Sequence, residues 1–421
     1  MKDKLIIGLD VGSSAIRVAV GQILVNEDRS LDLSLIGAAE VRSEGISKAS
    51  ISSLEDAVSV ISTALDQAER VIGLPIKEVY PNIGGTQVKV QDATGAIGVS
   101  RADKTIRHDD IERSIEAAKT YAQEPNYEII HVLPTGFILD DQSDIKDPLG
   151  MQGVRLESKV KVIQGLANHS KNITQAIFRA NVDIAEFVYT PLASAESVLS
   201  KKEKELGVCL INIGASTTSM AVYENGELVY ATVFSMGSDH ITSDLVYTLR
   251  TSFDVAEKLK RARGNANPKL FKNQDKINLS DFGSDSDEVI QVAFIAEVIE
   301  ARIEEFFEKI EEKLKEIGRS GMLPAGIVLT GGGAKLPGIT DVARKIFHLP
   351  AEVGDVKLKS SIPELIQDPV FSTAVGLVKW GYENEKEQGS YGSRFFGGQK
   401  INNVTSKISG SLKKIFKSFI P

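Results

Sequence analysis

The chain is poor in the residues that build disulfide frameworks and zinc sites. Its 421 residues include one cysteine and five histidines. A single cysteine excludes a disulfide scaffold and fits a reducing cytoplasm, and histidines without partner cysteines make a zinc site unexpected. No apolar run approaches the roughly 20 residues that a membrane-spanning helix needs. Because Met1–Lys4 leads straight into an apolar segment, we expect no secretory signal peptide.

Charge and size narrow the function classes further. The formal net charge is −8, which argues against a broad nucleic-acid-binding surface, so we expect no nucleic acid partner. Hydrophobic residues make up 42% of the chain and charged residues 25%, values typical of a globular protein. A chain of 421 residues is too long for one compact core, so two or more domains are expected.

The stretch Leu5–Val20 predicts two buried strands joined by a tight turn, Asp10–Ser14 (turn 1), that suits polyphosphate. Gly12 lets the backbone come close to an anion, and the N–H groups and hydroxyls of the turn can donate to phosphate oxygens. Asp10 is placed to hold the water shell of Mg²⁺, a cation that prefers oxygen ligands. An ordinary hairpin with a Gly-Ser turn is the alternative. The candidate phosphate-binding residues are Gly12, Ser13, Ser14 and Arg17.

A second copy of this unit occurs at Gly207–Tyr223, again a buried strand, a small-residue turn and a strand. The turn Asn212–Ser216 (turn 2) falls opposite turn 1, with Asn212 opposite Asp10. Repetition in the two halves of the chain predicts a duplicated, two-lobed fold with a ligand between the turns. The candidate ligand-binding residues here are Asn212, Gly214, Ala215, Ser216, Thr217 and Thr218.

A third, Gly-rich turn, Gly331–Gly338 (turn 3), follows a predicted strand at Ala325–Thr330. Two phosphate turns followed by a TGGG turn resemble the actin-like ATPases, a class that includes sugar kinases and heat-shock chaperones. The resemblance implies an α/β, actin-like (ribonuclease-H-like) two-lobed ATPase fold with ATP and Mg²⁺ as cofactors, in which turn 3 cups adenosine. The candidate nucleotide-binding residues of turn 3 are Gly331, Gly332, Gly333 and Lys335.

Residues 84–165 differ from the segments on either side in their pattern of predicted secondary structure. Short strand candidates surround one helix at Asp109–Ala122, which predicts a small α+β subdomain inserted into the first lobe. The segment carries no catalytic constellation, so a role in interaction is favoured. The strand candidates are Gln87–Val90, Ile97–Ser100, Ile129–Leu139 and Leu156–Ile163.

Three long stretches, Lys146–Leu156, Gly326–Gly332 and Asp368–Leu377, resemble the FtsA family of bacterial division proteins. The similarity covers nearly the whole chain, including the insertion. It implies a polymer-forming, ATP-binding cell division protein that tethers the FtsZ ring at the cytoplasmic face of the membrane, at the septum. The implied partners are the FtsZ C-terminal tail, further copies of the chain, an anionic membrane surface and later division proteins that contact the insertion (subdomain 1C).

The resemblance also assigns roles in the second lobe. A predicted helix at Asp239–Gly264 carries Glu257 and Lys260, which match a Glu and a Lys, three residues apart, that contact the nucleoside in the actin-like family. A second predicted helix, Ser286–Ile317, carries Arg302, which the resemblance makes a contact for the acidic FtsZ tail. A solvated charged face is the alternative for each helix.

These observations divide the chain into consecutive segments. The predicted segments are 1–83 (first lobe, subdomain 1A), 84–165 (inserted subdomain 1C), 166–206 (return to the first lobe), 207–236 (subdomain 2A), 237–318 (subdomain 2B), 319–368 (return to 2A), 369–382 (closing helix), 383–403 (flexible linker) and 404–421 (amphipathic membrane-targeting helix).

Turn 2 departs from the family pattern in a way that bears on catalysis. FtsA relatives usually read Asp-Ile-Gly-Gly-Gly-Thr-Thr-Asp here, whereas Asn212–Ser219 has neutral groups in place of both carboxylates. Phosphoryl transfer depends on charge neutralisation and positioning. We therefore predict that nucleotide binding is retained, that Asp10 is the remaining catalytic acid of the two turns, and that ATP hydrolysis is slow or absent. Complete loss of ATP binding is the alternative.

The segment Val404–Ile420 predicts a basic amphipathic helix after a Gly- and charge-rich linker, which is typical of a membrane-surface anchor. Docking on the chain's own body or in a partner's groove is the alternative. Each lysine near an anionic leaflet contributes about 1 kcal/mol, so one copy binds weakly and a polymer supplies stable attachment. The predicted membrane-binding residues are Ile408, Leu412, Lys413, Lys414, Ile415, Phe416, Lys417, Phe419 and Ile420.

Two other functions remain open from the sequence. A sugar kinase of this fold would need a catalytic Asp beside a polar sugar pocket, which we do not find, and it has no use for the tail. A PilM-like pilus-assembly adaptor would share the fold and bind a peptide of a membrane partner. The insertion and the terminal helix favour a division protein over both.

The predicted anchor can be tested by flotation with vesicles that contain anionic lipid. We expect the full-length chain to float with the vesicles and a variant that ends before Val404 to remain at the bottom of the gradient, because the truncation removes the apolar stripe and its lysines. Equal flotation of the two proteins would refute the anchor.

Overall fold

A computed structural model describes residues 4–25, 31–272, 274–356, 358, 360, 362 and 367–395. The predicted amphipathic helix at 404–421, with the stripe Ile408–Ile420, lies outside the described residues. Residues 396–403 of the predicted linker also lie outside them.

The strands of the described chain fall into two lobes and an insertion. They are β1 (Lys4–Val11), β2 (Ala15–Val25), β3 (Leu31–Arg42), β4 (Ile46–Ser47), β5 (Ser50–Ile51), β6 (Glu78–Ile83), β7 (Val88–Gly98), β8 (Tyr127–Leu139), β9 (Gln142–Ile145), β10 (Arg155–Leu166), β11 (Asp183–Ile184), β12 (Val188–Tyr189), β13 (Val208–Ile213), β14 (Thr218–Glu224), β15 (Glu227–Phe234), β16 (Lys276–Asn278), β17 (Val289–Gln291), β18 (Ile327–Thr330) and β19 (Ala351–Val353).

The α-helices of the described chain connect these strands and cover the sheets. They are α1 (Leu54–Ile72), α2 (His108–Ala122), α3 (Ala167–Arg179), α4 (Thr190–Val198), α5 (Lys201–Leu206), α6 (Ser238–Leu249), α7 (Phe253–Arg263), α8 (Val292–Glu316), α9 (Ile339–Phe347) and α10 (Ser372–Phe395).

The two lobes contain the same sheet twice. The first sheet has the order β11-β6-β1-β2-β3, and the second has the order β19-β18-β13-β14-β15. In each, the first strand pairs antiparallel with the next strand along the chain and parallel with a strand that returns later, β6 or β18. Parallel strands covered on both faces are continuous apolar runs, which is how residues 208–211 read. The predicted duplication is confirmed.

The insertion forms a separate layer with its own core. Its sheet has the order β7-β10-β8-β9, and α2 packs across it through Ile111 and Ile115. The segment predicted as two short strands, Gln87–Val90 and Ile97–Ser100, is one continuous strand, β7. Eleven consecutive residues of β7 pair with β10. Because this partner strand is distant in sequence, the local pattern of β7 does not show that its polar middle residues are also paired.

Two predicted helices have different bounds in the structure. The helix expected at Asp239–Gly264 is broken into α6 and α7, because Arg250 adopts a left-handed conformation (φ 49°) and the Ser252 hydroxyl caps the second helix. The helix expected from Ser286 begins only at Val292. The preceding residues form β17, which pairs with β16.

Helix α10 also runs further than expected. The closing helix was predicted to end at 382 and to be followed by a flexible linker, but the backbone is helical to Phe395. Tertiary contacts hold this extension. Asn384 Nδ2 donates to Glu186 Oε2 at 2.7 Å, and Glu385 forms an ion pair with Lys4 at 2.5 Å.

The lobes meet where α10 crosses α4. A Cβ at Gly376 would lie 1.7 Å from the carbonyl oxygen of Ala193, so the helix backbones are in direct contact. Beside this point, the hydroxyls of Ser194 and Thr373 are 3.0 Å apart and share a hydrogen bond. The crossing therefore accepts no side chain at Gly376.

The crossing predicts a large difference between two glycine substitutions. Gly376→Ala is expected to destabilise the chain by about 3 kcal/mol or more, because the helices would have to separate. The matched control is Gly98→Ala at the end of β7, where an added Cβ meets nothing within 4 Å, and its effect should stay within about 0.5 kcal/mol. Denaturant unfolding measures both, and equal unfolding midpoints would contradict the crossing.

Candidate functional site

Turns 1 and 2 line one cleft of about 90 Å³ between the lobes. Most of the wall consists of glycines, hydroxyl side chains and amides. The lining residues are Asp10, Val11, Gly12, Ser13, Ser14, Arg17, Ala49, Asn82, Gly84, Gly85, Thr190, Asn212, Gly214, Ala215, Ser216, Thr217, Ser219, Val233, Gly331, Val370, Ser372 and Thr373.

The two turns close hairpins of identical register. Asp10 pairs with Arg17 across the first hairpin, and Asn212 pairs with Ser219 across the second. Gly12 and Gly214 occupy equivalent positions. A Cβ at Gly12 would lie 2.7 Å from the oxygen of Ala15, and one at Gly214 would lie 2.9 Å from that of Thr217. Only glycine fits these positions without a shift of the turn.

The Asp10 carboxylate is buried and held from one side by an amide. Asn82 Nδ2 donates to Asp10 Oδ1 at 2.8 Å, while Asn82 Oδ1 accepts from the Val11 N–H at 2.7 Å. Burial raises the pKa of Asp10 to about 6, against the opposing effects of the Arg17 charge and the Asn82 hydrogen bond. The carboxylate is therefore oriented and available to a cation.

Sequence reasoning missed Asn82 and Thr190, which meet in the wall of the cleft. Asn82 Nδ2 lies 3.3 Å from Thr190 Oγ1, which donates in turn to the carbonyl of Ile83 at 3.1 Å. Both residues lie where buried strands end, since β6 runs parallel to β1 and β12 to β6. Ligands in α/β sheets bind at such carboxyl ends, which is the signal that could have found them.

Asn212 ties turn 2 to the helix crossing. Its Nδ2 donates to Ser194 Oγ at 2.7 Å and to Thr373 Oγ1 at 3.2 Å. A Cβ at Gly331 would lie 2.3 Å from Asn212 Oδ1, and the φ of Gly331 is +81°, so turn 3 also depends on a glycine there. Asn212 thus has a structural role beside any contact with a ligand.

The remaining predicted nucleotide-binding residues lie away from the wall of the cleft. Gly332, Gly333 and Lys335 form a short 3₁₀ helix behind Gly331, and Lys335 pairs with Asp368. Thr218 begins β14 and is buried.

Glu257 and Lys260 lie together beside the start of α6, outside the cleft lining. Their side chains form an ion pair at 2.5 Å. Lys260 Nζ also donates to the Thr242 hydroxyl at 2.7 Å and to the Ser238 carbonyl at 3.1 Å. The Ser216 hydroxyl of turn 2 reaches the same region, through Asp239 at 3.4 Å.

Arg302 lies on α8, remote from the cleft lining. Its guanidinium donates to both carboxylate oxygens of Asp244, at 2.5 and 2.7 Å, and also pairs with Glu305. These carboxylates neutralise Arg302 within the chain.

The donor set of the cleft fits a polyphosphate with a hydrated divalent cation. The Ser372 hydroxyl, at the first residue of α10, is buried and has no hydrogen-bond partner within the described part of the chain. It adds a donor to the N–H groups and hydroxyls of the two turns. The Asp10 carboxylate can accept hydrogen bonds from the water shell of Mg²⁺, a cation that prefers oxygen ligands.

A duplicated sheet with a small-residue turn from each lobe in one cleft defines the actin-like class of two-lobed proteins. A chain of the PilM-PilN type IV pilus biogenesis complex has this fold, with a TM-score of 0.65 and 16% identity over 89% of this chain and 97% of that chain. At this identity the likeness concerns the fold alone.

Sequence comparison defines the family. The model "Cell division protein FtsA" matches residues 209–376, and the model "SHS2 domain inserted in FTSA" matches residues 85–164. The FtsA of Bacillus subtilis (strain 168) is 35% identical over 92% of this chain and 86% of the relative. The FtsA of Pseudomonas aeruginosa is 32% identical over 91% of each. The chain belongs to the FtsA family of cell division proteins.

The described residues contain neither a membrane-spanning helix nor a cluster of metal-binding side chains. None of their helices is both long and apolar enough to cross a membrane. They also contain no group of three or more His, Cys, Asp or Glu side chains arranged to hold a metal ion.

Burial of Asp10 predicts a pH-dependent stability. Between the ordinary pKa of 3.8 and about 6 only the folded state holds the proton, so stability falls as the pH rises through this window. Above it, a penalty of about 3 kcal/mol is fully present. Asp10→Asn is therefore expected to melt at a higher temperature than the unsubstituted chain at pH 7.5, with the advantage lost by pH 4.

The matched control for this measurement is Asp66→Asn, at an exposed position of α1. Its melting temperature should follow that of the unsubstituted chain across the same pH range. If Asp10→Asn also melts at the same temperature as the unsubstituted chain at pH 7.5, the buried charge of Asp10 does not destabilise the folded state.

Proposed function

We propose that this chain is an actin-like cell division protein that binds ATP with Mg²⁺, polymerises at the cytoplasmic face of the membrane at the septum, and tethers FtsZ there. The observation that carries the proposal is the convergence of two duplicated turns on one cleft in a chain of the FtsA family. Family membership favours division over the PilM-like adaptor and the sugar kinase.

Different cleft residues contact the phosphates, the metal and the nucleoside. Turn 1 and turn 2 donate backbone N–H groups and hydroxyls to the phosphates from opposite sides. Asp10, oriented by Asn82, holds the water shell of Mg²⁺, which offsets phosphate charge when bound. Gly331 lets turn 3 approach the base and ribose, and Glu257 and Lys260 extend this side of the site beyond the cleft wall.

Slow or absent hydrolysis follows from the charge of the cleft. Asp10 is the one carboxylate among the described lining residues, and the equivalent position, Asn212, is neutral and donates to Ser194 and Thr373. Ser219 is too weak a base to activate a water molecule. Hydrolysis depends on an oriented nucleophile as well as on neutralised phosphate charge, and each tenfold in rate corresponds to about 1.4 kcal/mol.

The partner contacts are assigned to three separate regions. The FtsZ C-terminal tail binds at Arg302, where an acidic peptide would compete with Asp244 and Glu305 for the guanidinium. Later division proteins contact the insertion, residues 84–165. The segment 404–421 holds the polymer on anionic lipid.

Binding and turnover of ATP test this proposal on the full-length chain. We expect Mg²⁺-dependent binding of a fluorescent ATP analogue, weakened at least tenfold by Asp10→Ala because the metal's water shell loses its acceptor. The control Asp66→Ala should bind as the unsubstituted chain does. Absence of ATP binding would refute the proposed nucleotide site. Turnover comparable to that of vigorous actin-like ATPases, and lost in Asp10→Ala, would refute slow hydrolysis.

A further inference from the structure

The cleft is short of positive charge for the ligand proposed above. Asp10 and Arg17 are the ionisable side chains among its described lining residues. Arg17 is already engaged, since its Nε donates to Glu40 Oε2 at 2.8 Å and its guanidinium lies 5.9 Å from the centre of the Phe371 ring. A polyphosphate carries several negative charges, and recognition of phosphate in proteins commonly uses a lysine or arginine in addition to backbone donors.

A small hairpin, β4–β5, lies at the rim of the cleft. Its strands pair Ile46 with Ile51 and Ser47 with Ser50, so its loop consists of Lys48 and Ala49 alone. Both loop residues have positive φ, at 49° and 60°. Two-residue hairpin loops of this kind favour Asn and Gly, and a non-glycine residue at positive φ costs about 1 kcal/mol or more. The surroundings must therefore impose this conformation.

Three contacts hold the hairpin against turn 1 and the start of the insertion. The Ala49 N–H donates to Ser13 Oγ at 3.2 Å, and the Gln87 side chain donates to Ser50 Oγ at 3.0 Å. Before the hairpin, the N–H of Ser43 donates to the carbonyl of Ser14 at 3.0 Å. The loop is thus fixed relative to the turn that is expected to bind phosphate.

The loop also packs against Gly85, which lines the cleft. A Cβ at Gly85 would lie 3.2 Å from both the Lys48 carbonyl and the Ala49 Cβ. Ala49 itself lines the cleft, so Lys48 is adjacent in sequence to the cleft wall. The Lys48 side chain is exposed, and no ion pair engages it within the described part of the chain.

We propose that Lys48 is the cation that binds the outer phosphates of the nucleotide, presented over turn 1 by the strained β4–β5 hairpin. The assignment rests on the proposed function of the cleft. An ammonium on a flexible four-carbon stem is suited to reach a phosphate group bound at turn 1, while Arg17 remains paired with Glu40. The alternative is a solvated lysine on a purely structural turn.

The test compares nucleotides with different numbers of phosphates, using the full-length chain and isothermal titration calorimetry. Lys48→Gln is expected to bind Mg-ATP about tenfold more weakly, a loss expected of a charge-assisted contact, and to bind AMP unchanged. The matched control is Lys77→Gln, another exposed first-lobe lysine, which immediately precedes β6 at the end of the strand opposite Asn82. It should bind ATP and AMP as the unsubstituted chain does.

The outcomes separate this assignment from the function on which it rests. Equal affinity of Lys48→Gln and the unsubstituted chain for Mg-ATP overturns the role of Lys48 alone. An equal loss for ATP and AMP also overturns it, because the contact would then not be with the outer phosphates. Absence of ATP binding by the unsubstituted chain overturns the proposed nucleotide site and this assignment with it. A melting temperature unchanged in Lys48→Gln shows that the variant is folded.

Discussion

The cleft depends on a helix crossing that leaves no room for a side chain. Gly376 of α10 meets the carbonyl of Ala193 in α4, and the Asn212 amide of turn 2 donates to hydroxyls on both helices beside this contact. The second-lobe turn is therefore tied directly to the joint between the lobes. Any change in the spacing of the two helices would move turn 2 relative to turn 1.

The duplicated turns have diverged in charge and hence in role. Turn 1 keeps a carboxylate, Asp10, whose pKa is raised by burial and which is oriented by a hydrogen bond from Asn82. The same position in turn 2 is a neutral amide that stabilises the crossing. The first-lobe turn thus presents a carboxylate to the cleft, while the second-lobe turn uses its amide to join the two helices of the crossing.

Much of the architecture could be predicted from the sequence because its signals are local. A buried run, a small-residue turn and a second buried run identify each hairpin within about 16 residues of chain, and finding the unit twice indicates two lobes. Helix α1 is equally local, since its buried residues recur at helical spacing and Gly73 ends it in a left-handed conformation. The same signal was wrong at Arg250, where a left-handed residue and a serine cap break an apparently continuous helix.

The sequence by itself determined the duplicated turns, the insertion and the family, since each is identified by a pattern of consecutive residues. Only the tertiary structure decided which side chains share the cleft. Asn82 and Asp10 are 72 residues apart in sequence, and parallel strand pairing brings them into hydrogen-bond contact. Thr373 and Asn212 are 161 residues apart, and the helix crossing brings them together. Lys260 lies outside the cleft wall, and its ammonium donates to the Ser238 carbonyl and the Thr242 hydroxyl. Such partners are set by packing between distant segments, which no local pattern encodes.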